Sequence, residues 1–133
     1  MQLSILDQSP IPEGSTAPVA IANSIDLAQR AEAFGYKRYW VAEHHNSDGY
    51  AGAAPEILIG AIAAATTSVR VGSGGVMLSH YSPLKVAEVF RLLSALHPGR
   101  IDLGLGRAPG GGPEAAAAMA RGTAGFDGEQ YPE

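Results

Sequence analysis

The sequence predicts a parallel α/β fold of repeated strand–helix units, and three observations carry that prediction. Four short apolar segments rich in β-branched or aromatic residues begin at Leu3, Arg38, Val69 and Arg100, so they recur 35, 31 and 31 residues apart. That is the length of a βαβ unit. The intervening stretches carry helical apolar spacing and open on prolines, at Pro18, Pro55 and Pro83, where a missing N–H costs a helix nothing. The third observation is the run Tyr39-Trp40-Val41-Ala42-Glu43-His44-His45-Asn46. It is apolar along its length and ionisable only at its end, as a strand is when its C-terminal tip lies on the ligand-binding rim of a parallel sheet.

Leu3 to Asp7 reads as the first strand. Turn residues through Pro10, Pro12 and Gly14 lead to a helix opening near Thr16, with Val19, Ala22, Ile25, Ala28 and Phe34 as its apolar face and Gly35 as its stop. Arg38 to Glu43 is the second strand, followed by a loop through Asp48-Gly49. The second helix starts near Pro55 and turns Leu58, Ala61, Ile62 and Ala65 inward. Val69 to Met77 is a third strand broken by glycines. Ser82-Pro83 opens the third helix, with Val86, Val89, Phe90, Leu93 and Leu96 as its stripe; His97-Pro98-Gly99 ends it, and Arg100 to Gly106 is the fourth strand. Right-handed crossovers give the order 1-2-3-4, in a sheet that closes with further strands or stays open. A (β/α)8 barrel needs about 250 residues. Four units are half of one and leave edges and an inner face bare. A short helix is expected from Pro113 to Arg121, and residues 113–133 as a whole read as a poorly packed or flexible tail to one domain, 1–133.

Composition narrows the function. The chain has 133 residues, 46% of them hydrophobic, as in a globular interior. It has no cysteine, which removes disulfides, thiolate nucleophiles and Cys-ligated metals. Thirteen acidic against nine basic residues give a net charge of -4, with no basic stripe for nucleic acid. Met1-Gln2-Leu3-Ser4 does not read as a secretory leader, and no apolar run reaches the roughly 18 residues of a membrane span. The expected compartment is the cytoplasm, with no nucleic-acid or membrane partner.

Several residues carry chemistry in more than one reading. Gly72, Gly74 and Gly75 strip side chains from the third strand, which suits either a bulge or barrel bend or the close approach of a flat ring. His44 and His45, as neighbours, point to opposite sides of a strand, so one faces the mouth of the sheet. The alternative is one imidazole capping the strand and one packed in the core. Two adjacent histidines do not converge on one metal ion without a third ligand, and neither His80 nor His97 stands at helical spacing from them. No metal site is expected. Arg107, directly after the fourth strand, offers a guanidinium fork either to a phosphate or to a surface ion pair. Gly104-Leu105-Gly106 does not complete a dinucleotide fingerprint, because Pro109 stands where the third glycine is due. Asp7 ends the first strand, where it can bond substrate at the rim or begin the Asp-Gln-Ser-Pro turn.

Four segments together, Leu6-Asp7-Gln8-Ser9-Pro10, Tyr39 to Asn46, Gly72-Ser73-Gly74-Gly75-Val76-Met77-Leu78 and His97-Pro98-Gly99-Arg100-Ile101-Asp102-Leu103-Gly104-Leu105-Gly106-Arg107, resemble the bacterial-luciferase-like flavin-dependent monooxygenases. The resemblance runs from Leu3 to about Arg107 and implies the N-terminal half of a TIM barrel, four of eight units. It implies reduced FMN, supplied by an NAD(P)H-dependent flavin reductase, which reacts with O2 to oxygenate a small organic substrate. The deazaflavin F420, used for hydride transfer on the same fold, is the alternative cofactor. By the same resemblance His44 is the catalytic acid or base, Ser73, Gly74, Gly75, Met77 and Arg107 bind the cofactor, a cis peptide falls at Ser73-Gly74 or Gly74-Gly75, and Glu43 orients His44 or the loop. A non-catalytic half-barrel that associates with itself or with a complementary half is the rival reading.

Overall fold

In the computed structural model, which describes residues 1–121, the elements run β1 (Ser4–Asp7), α1 (Ala17–Ala33), β2 (Arg38–Val41), α2 (Pro55–Ala65), β3 (Arg70–Ser73), β4 (Val76–Met77), a 3-10 turn (Leu78–His80), α3 (Pro83–Leu96), β5 (Ile101–Asp102), β6 (Leu105–Gly106) and α4 (Pro113–Arg121). The main sheet is parallel in the order β1-β2-β3-β5. One row of its register runs Leu6, Trp40, Gly72, Asp102. This is the predicted alternation of parallel strands and helices. Among the described residues no helix is long and apolar enough to cross a membrane. Of the tail expected over residues 113–133, the part beyond Arg121 lies outside the described residues.

The two C-terminal strands differ from expectation, each being cut in two. β4 and β6 form a separate parallel pair. The reason lies in the register: Val71 opposes Ile101, thirty positions on, whereas Val76 opposes Leu105, twenty-nine positions on. One extra residue on the β3–β4 side is a bulge, and the Gly74–Gly75 peptide inside it is cis, one of the two bonds expected. A Cβ on Gly72 would lie 2.6 Å from the Asp102 carbonyl oxygen, and one on Gly75 2.9 Å from that of Gly104. Backbone packing therefore requires glycine at both positions. β2 also stops short of Glu43. Its chain leaves the ladder because the His44 N–H donates to the Gly52 carbonyl and the His45 N–H to that of Gly110, at 2.9 and 2.7 Å.

Alternation along the strands sends Tyr39, Val41 and Val71 outward into a core shared with Leu58, Ile59, Ile62 and Ala63 of α2 and Val86, Phe90 and Leu93 of α3. The expected α1 face is displaced. Its buried stripe is Ala20, Ser24, Ala28 and Ala31, while Val19 is exposed and Phe34 is 80% exposed beyond the last turn. Small side chains let this helix lie close to the sheet, and the Ser24 hydroxyl donates to Ser9 Oγ at 3.0 Å, so hydropathy does not mark the buried side. In α2 Leu58 and Ile62 face inward as predicted, Ala61 is exposed, and Ile59 and Ala63 are buried in its place. In α3 Leu96 is exposed, at the helix end.

Two side chains fasten the helices to the strand starts. Glu32, near the end of α1, accepts the backbone N–H groups of Thr67, Ser68 and Val69. Burial raises its pKa, but the N–H donors outweigh that and hold the carboxyl at about 2. Arg100 donates to the carbonyls of Ala63, Thr66 and Val69, closing the C-terminal end of α2, where unpaired carbonyls favour a cation. The opposite face of the sheet carries Leu6 and Trp40 above a charged layer in which Arg38 and Arg70 both reach Asp102. The Arg70 hydrogen bond holds the Asp102 carboxyl below its usual range.

Candidate active site

The C-terminal ends of β2, β4 and β6 meet at one rim. Glu43, the first polar residue past β2, has no exposed surface and accepts three donors. Its Oε1 lies 2.6 Å from His45 Nε2 and accepts the Tyr81 hydroxyl at 2.7 Å, while Oε2 accepts the Met77 N–H at 3.0 Å. A buried carboxylate is tolerated when donors surround it in this way. Burial, followed by the hydrogen bond to the Glu43 carboxylate, pushes the Tyr81 phenol up from its ordinary pKa. His45 also meets His80 edge-on, with ring centroids 6.1 Å apart.

His44 goes the other way, as two adjacent residues should. Its ring stacks on Tyr50 at 4.3 Å and 19°, and its Nδ1 is buried without a hydrogen-bond partner among the described residues. Glu43 therefore engages His45 and not His44. The Asp7 carboxylate is engaged within the chain: Oδ1 accepts the Ser9 N–H at 2.8 Å, Oδ2 accepts the Tyr39 hydroxyl at 2.7 Å, and the side chain is buried. The Ser73 hydroxyl is likewise turned inward. It donates to the Gly104 carbonyl at 2.8 Å and accepts the Gly104 N–H at 3.1 Å, stitching the bulge to the next strand.

Gly74 is the exposed member of the glycine run, on the side occupied by Leu6 and Trp40, whose atoms lie 3.0 and 3.1 Å from where its Cβ would be. Arg107 is exposed and lines an open groove of about 510 Å³ with Leu78, Ser79, Leu105 and Gly106. The loop bearing it is tied down by His80, whose Nε2 donates to the Pro109 carbonyl at 2.8 Å. Met77 packs beside this loop at Gly110, which adopts φ +68. Sequence reasoning does not single out Tyr50 or Tyr81, and weighs His80 only as a metal ligand. Their position was the available signal: Tyr50 lies in the loop after β2, and His80 and Tyr81 lie between a rim strand and a helix start. The described residues bring no three His, Asp or Glu side chains together as a metal set.

A rim of this kind, at the C-terminal ends of parallel strands in repeated strand–helix units, is where TIM-barrel folds place their ligand sites. The chain belongs to the luciferase-like monooxygenase family, whose profile matches residues 1–127. It is 59% identical to the protein YwcH of Bacillus subtilis (strain 168) over its full length, which is 40% of that relative. Over 84% of the chain and 33% of the relative it is 63% identical to the N-acetyl-S-alkylcysteine monooxygenase of the same organism. The chain thus spans no more than about two fifths of these proteins. Among solved structures, apo-MsnO8 superposes on 91% of this chain and 37% of its own with a TM-score of 0.88 and 55% identity. The oxygenating constituent of 3,6-diketocamphane monooxygenase from Pseudomonas putida, in complex with FMN, superposes on 90% of this chain and 32% of its own, with a TM-score of 0.81 and 25% identity. An F420-dependent secondary alcohol dehydrogenase shares the fold at 23% identity, with a TM-score of 0.63 over 78% of this chain and 31% of its own.

Proposed function

We propose that this chain forms the flavin-binding part of an FMN-dependent monooxygenase that oxygenates a small organic substrate with O2. The observation that carries the reading is the groove at the end of β6 in which Arg107 stands exposed beside Leu78 and Ser79. A guanidinium on a tethered loop suits a phosphate monoester, and Gly74, exposed on the side of Leu6 and Trp40, adds no side chain of its own to the inner face. The residues fit FMN. Arg107 would hold its phosphate, the backbone of Gly74 and Gly75 would back the ring, and Met77 would pack beside them. When bound, FMN supplies the redox chemistry that activates oxygen. His44, with its ring fixed on Tyr50 and Nδ1 lacking a partner, would hold or move a proton at Nδ1. The flavin arrives reduced by a separate NAD(P)H-dependent reductase, and the bare inner face is covered by a second copy or by a complementary half.

Titration of the chain with FMN, riboflavin and F420, followed by flavin fluorescence and by oxygen uptake with reduced FMN, tests this. FMN should bind in preference to F420. Arg107→Ala should weaken FMN at least about tenfold and leave riboflavin nearly unchanged, because only FMN offers a phosphate to a charge-assisted hydrogen bond. Equal loss for both ligands removes Arg107 from that role, and tighter binding of F420 moves the chain to the hydride-transfer class.

A further inference from the structure

The 3-10 turn Leu78–His80 supplies one wall of the Arg107 groove, and it is fastened from behind by a single side chain. Glu43 Oε2 accepts the N–H of Met77, just before the turn, and Oε1 accepts the hydroxyl of Tyr81, just after it. One buried carboxylate so brackets both ends. From inside the turn His80 reaches the Pro109 carbonyl, two residues past Arg107, and the backbone N–H of His45 donates to the Gly110 carbonyl at 2.7 Å. The two walls of the groove are joined to each other and to the residue that follows Glu43 and His44.

We infer that Glu43 is a positioning residue that fixes the wall of the anion groove opposite Arg107, with Tyr81 and His80 as its fasteners. Glu43 has no exposed surface, so it acts through the groups it holds and not by touching a ligand. A carboxylate suits the task because its two oxygens accept several donors at once, and each charge-assisted bond is stronger than a neutral one in a water-poor site. The inference rests on the reading that the groove takes the phosphate end of FMN.

Tyr81→Phe removes one fastener and keeps the ring that packs against the core. In the full chain, amide hydrogen exchange at Met77 and Tyr81 should accelerate about tenfold in this variant while the Val71 amide, bonded to Arg100 within the sheet, keeps its rate. The affinity for FMN should fall about tenfold, with that for riboflavin changed less than about twofold. Unchanged exchange at Met77 and Tyr81 overturns the bracket. Faster exchange with equal loss of both flavins overturns its link to the phosphate. A wild-type chain that takes up neither flavin overturns the functional reading and, with it, the phosphate role of the wall, whereas the exchange rates still decide whether Glu43 braces it.

Discussion

Tyr39 has no exposed surface, and its hydroxyl donates to Asp7 Oδ2 with the Ser24 carbonyl 3.1 Å away. Burial first, then the bond to Asp7, pushes its pKa well above the tyrosine range, which favours the phenol as a donor. Tyr39→Phe keeps the ring and leaves a buried carboxylate one donor short, which should cost about 1.5–3 kcal/mol in urea unfolding. Gly72→Ala places a methyl against the Asp102 carbonyl and the Trp40 ring; a loss of about 1–3 kcal/mol is expected by the same measurement. A stable Gly72→Ala protein would show that the β3–β5 pairing yields. Single residues were unevenly legible. The two histidines had to diverge by backbone geometry, but which of them Glu43 would hold depended on Tyr81, 38 residues away in sequence. The bond from Tyr39 to Asp7 is likewise a contact that a local motif does not report.

The joint between α1 and β3 is a carboxylate accepting three backbone donors, and it makes a pH prediction. The native pKa of Glu32, about 2, lies below its ordinary 4.5. Stabilisation from this joint is therefore complete above the unfolded-state value and is lost as pH falls from about 4.5 through about 2. Glu32→Gln should be less stable than wild type at pH 7 and converge with it near pH 2, measured as the difference in urea midpoints; a constant difference across that range would remove titration from the account. In α1 itself, Ala28 is fully buried and Phe34 largely exposed. Ala28→Leu should cost about 1–3 kcal/mol by overpacking, whereas Phe34→Ser should change stability by no more than about 0.5 kcal/mol. Thermal unfolding of the two variants checks this reversal of what hydrophobicity alone suggests. Helix and strand positions were legible because periodicity and proline punctuation are local. The α1 face was not, because alanine and serine carry too little hydropathy to mark the side that a close-packed helix buries.

Across the whole molecule the two faces of the sheet are unequal. The outer face is sealed by α1, α2 and α3, while the inner face presents Leu6, half-buried Trp40 and the Arg38–Arg70–Asp102 layer, and Leu103 and Leu105 are also exposed. Apolar surface of this kind favours association. The chain should therefore gain mass with concentration in sedimentation experiments, and Leu6→Lys should suppress the gain; a monomer at all concentrations would mean that the inner face is tolerated bare. The parallel order, the helix starts and the rim placement of Glu43, His44, His45 and Arg107 followed from the sequence alone, because they rest on spacing along the chain. Tertiary structure decided what those residues touch: the bulge that splits two strands, the inward turn of the Ser73 hydroxyl, the stacking of His44 on Tyr50 and the bracket of Glu43 around the 3-10 turn. Each joins segments about 30 residues apart or brings a loop back onto its strand, and such contacts are set by the register of neighbouring strands and by burial.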